Sequence, residues 1–204
     1  TQAKSLAMLM YLQRGIPVIY YGEELGLKNL HFTSADQFED QTVAPWLKDA
    51  EKVLSKDAAL AMVSETHKLP ARGPMPWDAT ENHGFSEVKP WITGIKQDDA
   101  CVANEINDTT SMFNFYKELL ELKKEALFQI GTYYMISTDK NSYVYQRDLH
   151  DESAIVAVSL SDQKTTVEIP AGYTVATLKA GEYQLTNEKL TLMPYAGVVL
   201  KKEN

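Results

Sequence analysis

The chain has 204 residues, 44% of them hydrophobic, and a formal net charge of −8 from 28 acidic and 20 basic side chains. That length is enough to bury a core, and an acidic balance without any Lys/Arg run excludes a nucleic-acid surface. The single cysteine, Cys101, excludes an intrachain disulfide and fits a reducing, cytoplasmic setting; no run reaches the roughly 20 apolar residues of a membrane span, so a soluble protein with no membrane partner is expected.

Residue 1 is Thr, and an amphipathic pattern begins at once, so an upstream part is expected. From Gln2 to Arg14 the apolar residues Ala3, Leu6, Ala7 and Met10 follow helical spacing, with Arg14 suited to the helix C-terminus and Gly15 to a left-handed stop. Ile16, Val18, Ile19 and Tyr20 then form a short, β-branched-rich run between Gly15 and Gly22, the pattern of a strand covered on both faces. Glu23 and Glu24 follow where such a strand would open onto the ligand side of an α/β fold, although a solvated acidic turn has the same local pattern. A lone helix and strand cannot cover that strand, so it needs neighbours.

Between Leu27 and Leu69 short helical pieces are expected at Ser34–Glu39, Trp46–Leu54 and Asp57–Glu65, with Ser34 and Asp57 as N-caps. The stretch Pro70-Ala71-Arg72-Gly73-Pro74-Met75-Pro76-Trp77-Asp78 is stiffened by three prolines and sets a guanidinium near an aromatic face and a carboxylate. Sugar rings are bound by that combination, since their hydroxyls take directional hydrogen bonds and their C–H faces stack on aromatics. An Arg72–Asp78 pair that merely pins the loop is the structural alternative.

Residues 13–26, Gln-Arg-Gly-Ile-Pro-Val-Ile-Tyr-Tyr-Gly-Glu-Glu-Leu-Gly, resemble the QGTPYIYQGEEIG segment of the α-amylase superfamily of glycoside hydrolases. Ala71–Asp78 resembles ARTPMQWD, and Gly84-Phe85 with Pro90-Trp91 fits its AGF…PW continuation, both typical of the oligo-1,6-glucosidase, dextran glucosidase and trehalose-6-phosphate hydrolase group. Gly73, Pro76 and Lys68-Leu69 depart from that pattern. The resemblance implies that Ile16–Tyr21 is the last strand of a (β/α)8 barrel, that residues 27–110 build its active-site rim, and that Arg72 reaches the sugar, with Glu24, Trp77 and Asp78 near it.

Asp108 or Thr109 can cap a helix over Ser111–Glu125 whose buried stripe is Met112, Phe115, Tyr116, Leu119 and Leu122. After it the period becomes alternating. Seven strands are expected at Thr132–Ser137, Ser142–Arg147, Ala154–Leu160, Thr165–Ile169, Thr174–Lys179, Lys189–Leu192 and Gly197–Leu200, a β-sandwich. The expected fold is therefore α/β followed by all-β: the C-terminal end of a barrel in residues 1–126, then an antiparallel sandwich in 127–204.

Retaining glycoside hydrolysis needs two carboxyl groups about 5 Å apart. In the family these and a third carboxylate precede the last strand, so none is expected in this chain, and Leu149-His150-Asp151 reads as a turn between strands. The histidines at 31, 67, 83 and 150 lack metal-ligand spacing, and no cofactor or metal is expected. The resemblance implies part of a retaining α-glucosidase acting on short α-1,6-linked glucosides, inactive without the missing N-terminal barrel portion, with trehalose-6-phosphate hydrolase the alternative inside the class. A non-catalytic carbohydrate-binding or interaction protein built on the sandwich is the rival; its one aromatic cluster, Tyr133, Tyr134, Tyr143 and Tyr145, has the spacing of cross-strand packing.

Overall fold

A computed structural model describes residues 1–203 except Glu39 and Thr93. Its helices are α1 (Gln2–Tyr11), α2 (Val43–Ala50), α3 (Lys56–Thr66), α4 (Val102–Glu105), α5 (Met112–Lys123) and α6 (Ala126–Ile130). The strands are β1 (Thr132–Thr138), β2 (Ser142–Leu149), β3 (Glu152–Ser159), β4 (Thr165–Glu168), β5 (Tyr173–Ala180), β6 (Tyr183–Thr186), β7 (Lys189–Leu192) and β8 (Gly197–Lys202). No helix among the described residues is long and apolar enough to cross a membrane. Contacts gather the chain into two units, Thr1–Ile19 with Asn114 onward, and Tyr20–Phe113. Helix α1 packs on β3, β5 and β8, and α6 on β2.

In the first unit two antiparallel sheets, ordered β1-β2-β3-β8-β5 and β4-β7-β6, enclose a core. Strand β3 shows why the sequence loses its alternation there: Ala154-Ile155-Val156-Ala157-Val158 is apolar throughout and fully buried, as a strand covered on both faces requires. Ile155 and Ala157 join Val144, Val198, Leu190 and Leu192 in the inter-sheet core. Val156 is paired with Tyr145, whose hydroxyl donates to the Leu9 carbonyl of α1 at 3.3 Å, so the other face is closed by that helix. The eighth strand, β6, was absent from the sequence expectation. Its Tyr183 and Leu185 alternate against the core, but Gly181, Glu182 and Asn187 crowd so short a run that it reads as a turn.

The tyrosines pack across strands. Tyr133 stacks on Tyr145 with ring centroids 5.0 Å apart, and the Tyr133 and Tyr143 hydroxyls meet at 2.9 Å. Burial pushes the Tyr133 and Tyr145 phenols up. His150 takes a positive φ of 52° in the turn between β2 and β3, as its place in Leu149-His150-Asp151 predicts.

The first helix ends at Tyr11, three residues short of the expected Arg14, and Gly15, with φ 129°, lies beyond its cap at Leu12. Side chains stop it instead. The buried Arg147 guanidinium donates to the Leu12 carbonyl at 2.6 Å, and the Lys123 ammonium to the Gln13 carbonyl at 2.5 Å. Residues 16–20 form no helix and no ladder to any described residue. Ile16 and Val18 are 91% and 83% exposed, so the strand expected here, covered on both faces, is neither paired nor buried among the described residues. A strand's hydrogen bonds and cover come from neighbours, which the described residues do not supply.

The second unit is built on short helices and turns around Phe32, Phe38, Val43, Leu47, Ala59, Val63 and Ile92. Helix α2 starts earlier than expected, because Pro45 is tolerated in a first turn that needs no N–H from it. Ser55, not Asp57, caps α3: its extended backbone brings Oγ to accept from the Ala58 N–H at 3.3 Å. A single turn covers Ala35–Phe38 after Ser34; Glu39, the expected end of that piece, lies outside the described residues.

Candidate functional site

The site lies in the second unit, and its residues are placed by local chemistry. Gly22 has φ 90°, and a Cβ there would stand 2.6 Å from Leu27 Cδ1, so only glycine fits the turn that follows Tyr21. This turn swings Glu24 back, and its Oε2 accepts from the Gly22 N–H at 2.7 Å. The Tyr21 hydroxyl donates to the Gly73 carbonyl at 2.9 Å, tying this turn to the proline-rich loop. At Gly73 a Cβ would stand 2.8 Å from Leu30 Cδ1, so a larger residue there would need the leucine tip to shift. The far end of the loop is held by α4, whose first N–H groups, at Val102 and Ala103, donate to the Pro76 and Trp77 carbonyls at 3.0 Å each.

These anchors form a groove of ≈ 530 Å³ that brings together Glu24, Arg72 and Trp77, three of the four expected residues. Tyr21, Phe85 and Trp91 line it too, and Trp77, Phe85 and Trp91 are 52%, 52% and 64% exposed, offering aromatic faces. No hydrogen bond or ion pair engages the Arg72 guanidinium among the described residues, so the structural alternative of an Arg72–Asp78 pair is not realised. Arg72 is near enough to Tyr21 to act on it: burial and Tyr20 push the Tyr21 phenol up, and the Arg72 charge opposes them.

Asp78 is not in the groove lining. Its Oδ1 accepts from the Thr80 hydroxyl at 2.5 Å and the Thr80 N–H at 2.9 Å, which hold the carboxyl below the usual carboxylate range. Its work is to close the turn behind Trp77, whose N–H donates to the His83 carbonyl at 2.8 Å. Phe85 and Trp91 were not singled out as site residues from sequence. Their signal was the Gly84-Phe85 and Pro90-Trp91 pairs, which read as continuation of a motif and not as a wall.

A second hollow of ≈ 510 Å³ shares Tyr21, Gly73 and Pro90 with the groove and adds Lys28, Lys89 and Lys96. Lys96 is committed to Asp98 at 2.5 Å.

The family model for the α-amylase catalytic domain matches residues 1–131. The chain belongs to the α-amylase family. It is 31% identical to the oligo-1,6-glucosidase of Bacillus cereus, over 98% of this chain and 38% of that enzyme. It is 30% identical to the trehalose-6-phosphate hydrolase of Bacillus subtilis, over 98% of this chain and 37% of that enzyme. A solved structure described as a family GH13_31 enzyme superimposes with a TM-score of 0.90 at 74% identity, covering all of this chain and 37% of its own. The chain thus spans little more than a third of the length of these relatives. In this α-amylase family frame, the α/β part is the closing portion of a (β/α)8 barrel, with the antiparallel sandwich after it.

Proposed function

We propose that the chain is the substrate-rim and sandwich part of an α-glucosidase that hydrolyses short α-1,6-linked glucosides by a retaining, two-carboxylate mechanism. The observation that carries this reading is the groove in which an uncommitted Arg72 guanidinium faces a space walled by Trp77, Phe85 and Trp91. Arg72 donates to sugar hydroxyls, Glu24 accepts from one, and the ring's C–H face lies on an aromatic wall. Asp78 shapes the rim by fixing its turn. Glu24 balances Arg72 in the lining, which favours an uncharged glucoside over a phosphorylated one.

The nucleophile and the acid come from barrel strands outside this chain, so residues 1–204 alone are inactive. Exposed Ile16 and Val18 fit a strand whose partners belong to that missing barrel portion. A cytoplasmic setting accords with the single, buried and unpaired Cys101.

Arg72→Ala in the whole enzyme tests the reading. A hydrogen bond to a charged donor contributes about 1.5–3 kcal/mol, so kcat/KM on an α-1,6-linked glucose disaccharide should fall about 10- to 100-fold. An unchanged kcat/KM would remove Arg72 from the site.

A further inference from the structure

Helix α3 ends on a buried histidine. His67 stops the helix with an extended backbone, φ −84° and ψ 148°, while its N–H still donates to the Val63 carbonyl at 2.8 Å. Both ring nitrogens are engaged: Nε2 lies 3.2 Å from Asp40 Oδ2, and Nδ1 accepts from the Leu69 N–H at 3.2 Å. The second bond fixes the ring's tautomer. A backbone N–H can only donate, so Nδ1 is bare, and in the neutral ring Nε2 carries the proton and donates to Asp40. Asp40 is held in turn: its Oδ1 accepts from the Thr42 N–H at 2.9 Å and the Thr42 hydroxyl at 2.7 Å, which leaves Oδ2 to His67, with the Lys68 ammonium 3.9 Å from it. The Phe38 and Trp46 rings stand edge-on to the imidazole at 5.3 and 6.1 Å.

What the ring holds is the turn that carries Arg72. Leu69–Ala71 form a single 3₁₀ turn, too short to stand on its own hydrogen bonds. Its N–H groups can be followed one by one. Pro70 has none, the Ala71 N–H donates to the Lys68 carbonyl at 3.2 Å, and the Arg72 N–H donates to the Leu69 carbonyl at 2.9 Å. The Leu69 N–H is left over, and Lys68, at the cap position, offers it no side chain. Leu69 and Pro70 are buried, so a protein acceptor must take the place of water there, and His67 Nδ1 is that acceptor. Leu69 thus donates to the ring through its N–H and accepts from Arg72 through its carbonyl, and all of these groups lie within the unit Tyr20–Phe113.

We infer that His67 is a positioning residue for Arg72, seating the Leu69–Ala71 turn on Asp40 through an imidazole whose Nδ1 is bare. This rests on the groove's being the glucoside site. Since no hydrogen bond or ion pair engages the Arg72 guanidinium among the described residues, its reach into the groove is set by the backbone it hangs from. Core filling would ask only for the bulk of the ring, whereas positioning asks for an acceptor at the place of Nδ1. An asparagine oxygen falls near that place, while a glutamine amide reaches toward the place of Nε2 and leaves the Leu69 N–H unpaired.

The test uses the whole enzyme with His67→Gln and His67→Asn, read by steady-state kinetics on an α-1,6-linked glucose disaccharide and by amide hydrogen exchange well below each melting temperature. His67→Gln should raise KM about three- to tenfold with kcat changed less, since a misplaced binding residue weakens substrate binding. The Leu69 and Arg72 amides should exchange faster in the same variant. His67→Asn should recover most of both, although it loses the same ring packing. Neutron diffraction from the wild-type enzyme, which shows the ring's protons, should place one on Nε2 and none on Nδ1. Wild-type KM and exchange in a folded His67→Gln enzyme, or equal changes in the two variants, would make the ring a core filler and overturn the inference, as would a proton on Nδ1. If neither variant folds, the neutron result decides. Should Arg72→Ala leave kcat/KM unchanged, the glucoside reading fails, while exchange at Leu69 and Arg72 still judges the hold of His67 on its turn.

Discussion

The sandwich and the rim are held together by different physics. In the sandwich, β3 draws its order from distant partners: Val156 lies beside Tyr145 and Val199, and Ile155 beside Gln146 and Leu200. The rim has an apolar core of its own, but many of its turns are closed locally. Asp40, Asp78 and Asp108 each accept from the N–H and the hydroxyl of a threonine two residues on, at Thr42, Thr80 and Thr110. These Asx turns need no ladder. The consequence is that the sandwich resists through its core, while part of the rim's stability rests on side chains that titrate.

The largest effect that would sharpen this contrast is Ile155→Ala. Ile155 is fully buried between the sheets, and losing its side chain should cost about 2–5 kcal/mol in urea unfolding. A cost under about 0.5 kcal/mol, the range of surface changes, would mean that the inter-sheet core does not carry the sandwich. In the rim a single local device should matter less: Ser55→Ala removes the α3 cap and should cost about 1 kcal/mol. Fluorescence of the rim's Trp46, against far-UV dichroism dominated by the sandwich, would locate the loss.

Acid should separate the two regions further. The Thr42 hydroxyl and N–H hold the folded Asp40 carboxyl at about 2, with His67 and Lys68 adding smaller contributions. Because the folded value lies below the unfolded one, this stabilisation is complete above about pH 4 and is lost as pH falls toward 2. Asp78 shifts in the same direction. Rim-located fluorescence should therefore change between pH 4 and pH 2, and Asp40→Asn should flatten that change. One such turn, at Asp139, also lies in the sandwich, so a small acid response there is expected. Equal acid responses of rim and sandwich in wild type and Asp40→Asn would contradict the division.

How much of this was legible in the sequence follows the same line. Alternating or continuous apolar runs located seven of the eight strands among the described residues, because a strand covered within its own chain writes that cover into its pattern. Ile16–Tyr20 shows the converse: its β-branched run marks a strand, yet the residues that would cover it are not among its neighbours here. Of the residues expected at a sugar site, Arg72, Trp77 and Glu24 line the groove. Phe85 and Trp91 were not, since an aromatic in a loop looks the same whether it pins the loop or walls a site. Asp78 shows why residue type alone does not assign a role: a carboxylate two residues before a threonine serves a turn as readily as a ligand. Arg147 carried no signal at all, because nothing in Tyr-Gln-Arg-Asp tells that an inward arginine donates to the carbonyls of Leu12, Phe128, Gly131 and Thr132.

The most direct measurement is glucose release from an α-1,6-linked glucose disaccharide by the whole protein and by residues 1–204 alone. The account predicts release by the whole protein and none by residues 1–204, which supply the groove and the sandwich without the reacting carboxyl groups. Release by residues 1–204, or none by the whole protein, would contradict it.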